Sequence, residues 1–228
     1  MPFGTRAPIN RREALITIKK VATTEQDIAV SAIVEAFNAD PAARWMYPDS
    51  QQYWQHFPSF VKAFAGAAFE HGSADLADGY LAAALWLPPG IHPDEQALDK
   101  LIRSTVSGGD QANVFAMFEQ MDRYHPREPH WYLPMIGVDP AHQRKGFGSA
   151  LLQHGLTRCD HENKHAYLES TSPSSVRLYE RHGFELLRII QVGSSPQLFA
   201  MLRKPRVIWR GRGSKSTGES LIEGWVEP

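Results

Sequence analysis

The sequence predicts a single α/β domain. Three observations carry that expectation. An apolar stretch at 130–138 runs through a glycine-punctuated turn, Asp139 to Gly148, into an apolar helical stripe, so a strand feeds a helix. The order repeats at once: a strand pattern at 165–170 is followed by Pro173 at a helix start and Gly183 at its end. At 228 residues the chain is long enough for one well-buried domain, and the motif order favours one over two.

The elements follow in order along the chain. Residues 1–13 read as an N-terminal extension and 14–21 as a first strand. Thr23 or Thr24 then caps a helix whose apolar positions are Ile28, Ala32, Ile33, Ala36 and Phe37, and Pro41 stops it. A second helix follows Pro48-Asp49, with Trp54, Phe57, Phe60, Val61, Phe64, Ala67 and Ala68 at helical spacing, and Gly72 is its stop. Residues 74–87 form a hairpin turning at Asp78-Gly79, and its second arm, Tyr80 to Leu87, reads as a central strand. Residues 93–124 are helical in two pieces separated by Gly108-Gly109, an insertion where acceptor specificity could reside.

Pro134 cannot donate to a ladder, so strand 130–138 carries a bulge or an interrupted pairing. Beyond the glycine turn, Leu151, Leu152, Gly155, Leu156 and Cys159 make the stripe that packs on the sheet. Ser172 suits an N-cap for a helix over 173–182, and strands near 184–192 and 197–203 complete the domain over 14–203. Residues 204–228 are rich in Gly, Ser and charge and read as a tail, in which Trp209 and Trp225 offer the packing anchors.

The glycine turn is an anion cradle. Gly146 and Gly148 lack the β-carbon that would block close approach, so successive N–H groups can converge on a phosphate at a helix N-terminus. Two known schemes fail here. A Walker loop needs Lys after its second glycine, whereas Lys145 precedes the glycine. A dinucleotide fingerprint needs a third Gly or Ala where Leu151 stands.

The remaining pattern, Gln143-x-x-Gly146-x-Gly148 after a strand ending Gly137-Val138-Asp139-Pro140, resembles the acetyl-coenzyme A signature of the GNAT acyltransferases. Tyr179-Glu180-Arg181-His182-Gly183-Phe184 is similar to the family's Tyr-x-x-x-Gly-Phe segment. The resemblance narrows toward the puromycin N-acetyltransferase-like branch through residues 125–133 and 167–173, and covers roughly 14–203. In the N-terminal half it rests on Glu35-Ala36-Phe37 and on Asp40 to Arg44.

The resemblance implies a GNAT fold, a mixed six- to seven-stranded sheet whose fourth and fifth strands splay, and acetyl-CoA as donor. It places the pantetheine arm against Ile136, Gly137 and Val138 and the pyrophosphate at Gln143, Arg144, Lys145, Gly146, Phe147, Gly148 and Ser149. Ser175 stands where the family commonly has an asparagine that contacts the cofactor arm. Tyr179 is then the general acid for the leaving thiolate; the alternative is a packed helix tyrosine.

A base is harder to assign. Strand alternation puts Tyr167, Glu169 and Thr171 on one face, so Glu169 is either the base or a structural carboxylate. Asp40 is the second candidate and a departure, because puromycin-type enzymes carry a tyrosine before the residue that aligns with Pro41. Water relays to solvent are a third route. Trp45 and Tyr47, in a connection, suit an acceptor pocket; Tyr53, Trp54 and Trp86 suit the core.

The implied function is an N-acetyltransferase acting on a primary amine of a small or aminonucleoside-like molecule. The alternatives are a peptide N-terminal or lysine acetyltransferase and a non-catalytic acyl-CoA sensor. Net charge of −1 gives no field for a polyanion, so nucleic acid is not expected as a partner. The ten histidines make no metal-ligand motif, and no metal is expected. One cysteine excludes an intrachain disulfide, and no run of apolar residues spans a membrane, so a cytoplasmic monomer or homodimer is expected.

Overall fold

Strand alternation divides the apolar residues between two faces of one sheet. The computed structural model describes residues 16–206; the predicted extension at 1–13, and Trp209 and Trp225 of the predicted tail, lie outside that range. The strands are β1 (Ile18–Lys20), β2 (Ala74–Ala77), β3 (Ala82–Leu87), β4 (His130–Val138), β5 (His165–Ser170), β6 (Glu185–Ile190) and β7 (Leu198–Arg203). Their spatial order is β1-β2-β3-β4-β5-β7-β6. All neighbours are antiparallel except β4 with β5. This is the mixed α/β sheet expected.

On one face Ala83, Leu85, Leu87, Met135 and Tyr167 meet α1 (Gln26–Ala36), α2 (Pro41–Met46), α3 (Ser50–Ala65), α5 (Glu95–Thr105) and α6 (Gly108–Tyr124). On the other, Ala82, Ala84, Trp86 and Leu168 meet α7 (Phe147–His161) and α8 (Pro173–Arg181). Every residue of β3 is buried, as a strand covered on both sides requires. Gly155 of α7 lies on Trp86: a β-carbon there would sit 2.4 Å from the indole.

Several expectations need correction. The first helix is capped by neither threonine. Residues Thr23–Glu25 form a 3₁₀ turn, and the Glu25 carboxylate accepts the Ala22 N–H (3.2 Å) while also holding Lys19 and Tyr80. α1 therefore buries Ala29, Val30, Ile33 and Val34 and leaves Ile28 exposed. Pro41 does not simply end a helix. It begins α2, since proline lacks the N–H that a first helical position cannot use, and Asp40 Oδ1 accepts the Ala42 and Ala43 N–H groups.

The next helix starts after Asp49 as expected but ends at Ala65. Gly66 passes the chain to α4 (Ala67–Glu70), and Gly72, at φ +59°, closes it. Trp54 is exposed, while Phe57, Phe60 and Phe64 stack along the buried side. The break in the insertion falls at Val106, buried and extended, and Gly108-Gly109 open α6 instead of separating the pieces. Ser172 stands at the N-cap of α8 with extended backbone, but its hydroxyl bonds Ser174 Oγ and not the backbone.

The strand with Pro134 is interrupted as expected. Leu85 pairs with Met135 but Leu87 with Tyr132, so Leu133 and Pro134 together oppose Trp86, whose N–H turns to Ser73 O. Pairing of β4 with β5 stops at Tyr132 and Tyr167. Beyond that point the two strands splay.

Candidate active site

The splay opens a cleft of about 510 Å³, and its walls gather residues from across the fold, Ala36, Phe37 and Asp40 at and just past the end of α1 among them. β4 contributes Leu133, Pro134, Ile136, Gly137 and Val138; the turn before α7 contributes Gln143, Arg144, Gly146, Gly148 and Ser149. From the far side come Glu169 and Thr171, and from α8 Ser174, Ser175, Leu178 and Tyr179. From Leu133 onward, β4 has no strand partner on the β5 side.

The turn forms a nest of backbone donors. Arg144 (φ +61°) and Gly146 (φ +96°) are left-handed on either side of Lys145, which aims successive N–H groups to one side. Among the described residues, the N–H groups of Gly146, Phe147, Gly148 and Ser149 have no intrachain acceptor. A 15-residue helix stands behind them. Orphan donors, a helix dipole and no β-carbon at Gly146 fit a pyrophosphate.

Two of the sequence-predicted residues do not line the cleft with their side chains. Phe147 is buried against the core beneath the turn, and Lys145 Nζ donates to Ala141 O at 3.1 Å. Gln143 Nε2 donates to Val138 O (3.3 Å), tying the strand end to the turn. Ser149 Oγ lies 2.7 Å from His182 Nε2. Gly137 answers a packing need as well, since a β-carbon there would meet Ala36 Cβ at 2.6 Å.

A second, apolar pocket of about 80 Å³ adjoins the cleft. Phe37, Asp40, Pro134, Glu169 and Thr171 border both cavities, so the two meet there. Trp45 lines this pocket as expected. Tyr47 does not: it is fully buried, its hydroxyl 2.9 Å from Thr105 Oγ1. Tyr53 and Trp86 belong to the core.

The three candidate acid–base groups differ in environment. Tyr179 is largely buried, its ring edge-on to Phe184 with centroids 5.9 Å apart, and its hydroxyl makes no hydrogen bond among the described residues. Burial, and then the negative charge of Asp40, hold its phenol well above the usual range. It stays protonated at neutral pH and is a proton donor, not an acceptor. Asp40 is raised by burial, opposed by the Thr171 hydroxyl and the two amides it caps.

Glu169 is pushed up to about 7 by burial, a shift that the phenols of Tyr132 and Tyr167 oppose. Its Oε1 has no geometrically sound hydrogen-bond partner, and His125 Nδ1 lies 3.9 Å away. The tautomers follow from the backbone. His130 Nδ1 donates to Glu128 O (2.7 Å), which leaves its Nε2 as acceptor for His125 Nε2–H at 2.9 Å. His125, pushed down to about 4 by burial, is neutral and turns a bare Nδ1 toward Glu169.

The spacing of residues that sequence reasoning selected is thus matched by proximity: Tyr179, Glu169 and Asp40 all border one cleft. Strand alternation places Thr171 on the face of Glu169, whereas Tyr132, His125 and His130 have no site role legible in the sequence. Among the described residues no cluster of three or more His, Cys, Asp or Glu is arranged to hold a metal, and no helix is long and apolar enough to cross a membrane.

Comparison with known proteins agrees with this geometry. The sequence model of the Acetyltransferase (GNAT) family matches residues 110–184, the span from α6 through the nest to the end of α8. An uncharacterized N-acetyltransferase of Schizosaccharomyces pombe, C550.08, is 25% identical over 206 residues, 82% of this chain and 83% of that protein. Residues 110–184 thus carry the GNAT-family pattern, and over most of its length the chain is similar to N-acetyltransferases. Among solved GNAT structures, "histone acetyltransferase HPA2 and related acetyltransferase" from Corynebacterium glutamicum is 27% identical, with TM-score 0.61, covering 84% of this chain and 97% of that one. The Drosophila melanogaster polyamine N-acetyltransferase, which forms N-acetylagmatine, shares the fold at 14% identity, TM-score 0.59, covering 83% and 99%. So does arylalkylamine N-acetyltransferase 2 of Aedes aegypti, at 13% identity, TM-score 0.58, covering 85% and 100%.

Proposed function

We propose that this acetyltransferase moves an acetyl group from acetyl-CoA to the primary amine of a small molecule by direct attack. The observation that carries the reading is the meeting of two cavities, a polar cleft and an apolar pocket, at Asp40, Glu169 and Thr171. The pocket is narrow and walled by helices, which suits a small molecule better than a peptide.

Acetyl-CoA, the acetyl donor of GNAT acetyltransferases, supplies an activated thioester when bound. The N–H groups from Gly146 to Ser149, with Arg144 and Lys145 in the same turn, would hold its pyrophosphate, and the free edge of β4 at Ile136 to Val138 would take the pantetheine arm. Ser175, on the cleft wall, gives the arm a polar contact. Glu169 or Asp40 removes a proton from the incoming ammonium, because only the neutral amine is nucleophilic. As the new N–C bond forms and the C–S bond breaks, Tyr179 holds the proton that the departing sulfur requires. Positioning of both substrates supplies most of the acceleration.

Coenzyme A release in the presence of simple amines, polyamines, puromycin and short peptides tests the reading, beside Tyr179→Phe. Tyrosine-dependent turnover with a small amine is the expected result, with kcat lowered about 10-fold or more in the variant and acetyl-CoA affinity little changed. Saturable acetyl-CoA binding with no turnover of any amine would show a sensor instead. Turnover of peptides alone would move the acceptor class to polypeptide amines.

A further inference from the structure

The acceptor pocket distinguishes between amines, and the inference that follows rests on the small-amine reading above. Its charged groups stand at one end only. Asp40 and Glu169 lie where the pocket joins the cleft, and no other charged side chain lines it among the described residues. Away from that end the wall is mostly apolar side chain, chiefly Trp45 from α2, Phe57 and Phe60 from α3, and Met117, Phe118 and Met121 from α6. The aromatic rings of α3 stack on one another, with Phe60 and Phe118 centroids 6.3 Å apart, so these walls are braced.

We infer that the acceptor is a monoamine with a short apolar tail, an arylalkyl or alkyl group, and not a diamine, a polyamine or a guanidino amine. The ammonium end is recognised where the carboxylates stand, and the tail displaces water from the aromatic wall. A second cation on the tail would enter a wall that offers no carboxylate among the described residues, and burying an unpaired charge is costly. Three of the six wall residues named belong to α6, which the sequence places in the insertion between β3 and β4, so the insertion sets the tail preference.

The experiment compares kcat/KM for butylamine, hexylamine and phenethylamine with that for 1,4-diaminobutane and agmatine, using the full chain and acetyl-CoA. The expected result is a rise of up to about 4-fold for each methylene buried. Diamine and agmatine should fall at least about 100-fold below the matched monoamine. Met121→Glu, at a half-buried wall position, should narrow that gap by raising diamine turnover, and Phe118→Ala should move the optimum to a longer or bulkier tail; acetyl-CoA binding reports whether each variant is folded. Diamine or agmatine turnover equal to that of the monoamines overturns the inference and leaves the small-amine acetyltransferase intact. No Tyr179-dependent turnover of any amine, with acetyl-CoA still bound, overturns both.

Discussion

Replacing Glu169 by Gln should move activity and stability in opposite directions, and the size of each effect follows from its burial. The side chain is 3% exposed and its carboxyl is pushed up to about 7, against 4.5 for a free glutamate. Below pH 4.5 folded and unfolded chains are both protonated here and nothing is lost. Between 4.5 and 7 the unfolded chain ionises while the folded one keeps its proton, so stability falls with rising pH by about 1.4 kcal/mol per unit. From pH 5 to 8 the native protein should therefore lose about 2–3 kcal/mol that Glu169→Gln does not lose. Urea unfolding of both proteins at several pH values reads the difference directly. In the same range kcat/KM should rise with an apparent pKa near 7 as the carboxylate forms, and the variant should lack that limb and fall by about 100-fold or more at pH 8. A stability difference independent of pH would refute the burial argument. An intact limb with activity within about threefold would make Glu169 a structural carboxylate.

Asp40 separates cap from chemistry, because Asn retains an oxygen for the Ala42 and Ala43 amides and Ala does not. Asp40→Ala should lose about 1 kcal/mol on thermal or urea unfolding and Asp40→Asn much less, while an acid–base role predicts equal loss of kcat in both; full activity in Asp40→Asn would leave only the cap. Gly155→Ala should destabilise by about 1–3 kcal/mol, since its β-carbon would meet a fully buried indole at 2.4 Å. An unchanged melting temperature would mean that Trp86 has room to move.

The parts of the site that were legible in the sequence are those written by local chemistry. A positive φ at Gly146 and a strand-to-helix junction need neighbours only a few residues away, and Tyr179 is framed by Pro173 and Gly183 in the same way. Contacts across the sheet had no such local signal. Thr171 reaches Asp40 across 131 positions, and His125 reaches Glu169 only because α6 ends beside the three-residue pairing of β4 with β5. Periodicity alone also separates buried side chains from those that reach a cavity. Phe147 precedes Leu151 and Gly155 by steps of four, which puts its side chain on the buried stripe while its N–H stays in the turn. Ala43, Met46 and Tyr47 are likewise spaced by three and four, the face that α2 buries, while Trp45 falls between them and reaches the pocket.

One irregularity joins the two cavities to the sheet. Pro134 lacks the N–H that would continue the ladder, and the bulge it occupies lies just past Tyr132, the last β4 residue paired with β5. Pro134 itself borders both cavities. The strand edge freed by the splay is the edge proposed above for the cofactor arm, and Glu169, two residues past Tyr167, the last β5 residue paired with β4, lines the gap. With β4 and β5 fully paired, Glu169 would still project from the sheet face toward the apolar pocket, but the gap that opens it to the cleft would be closed. The break in the sheet therefore lets one buried carboxylate border both cavities, with a proton affinity set near neutrality by its burial, which is what the proposed base requires.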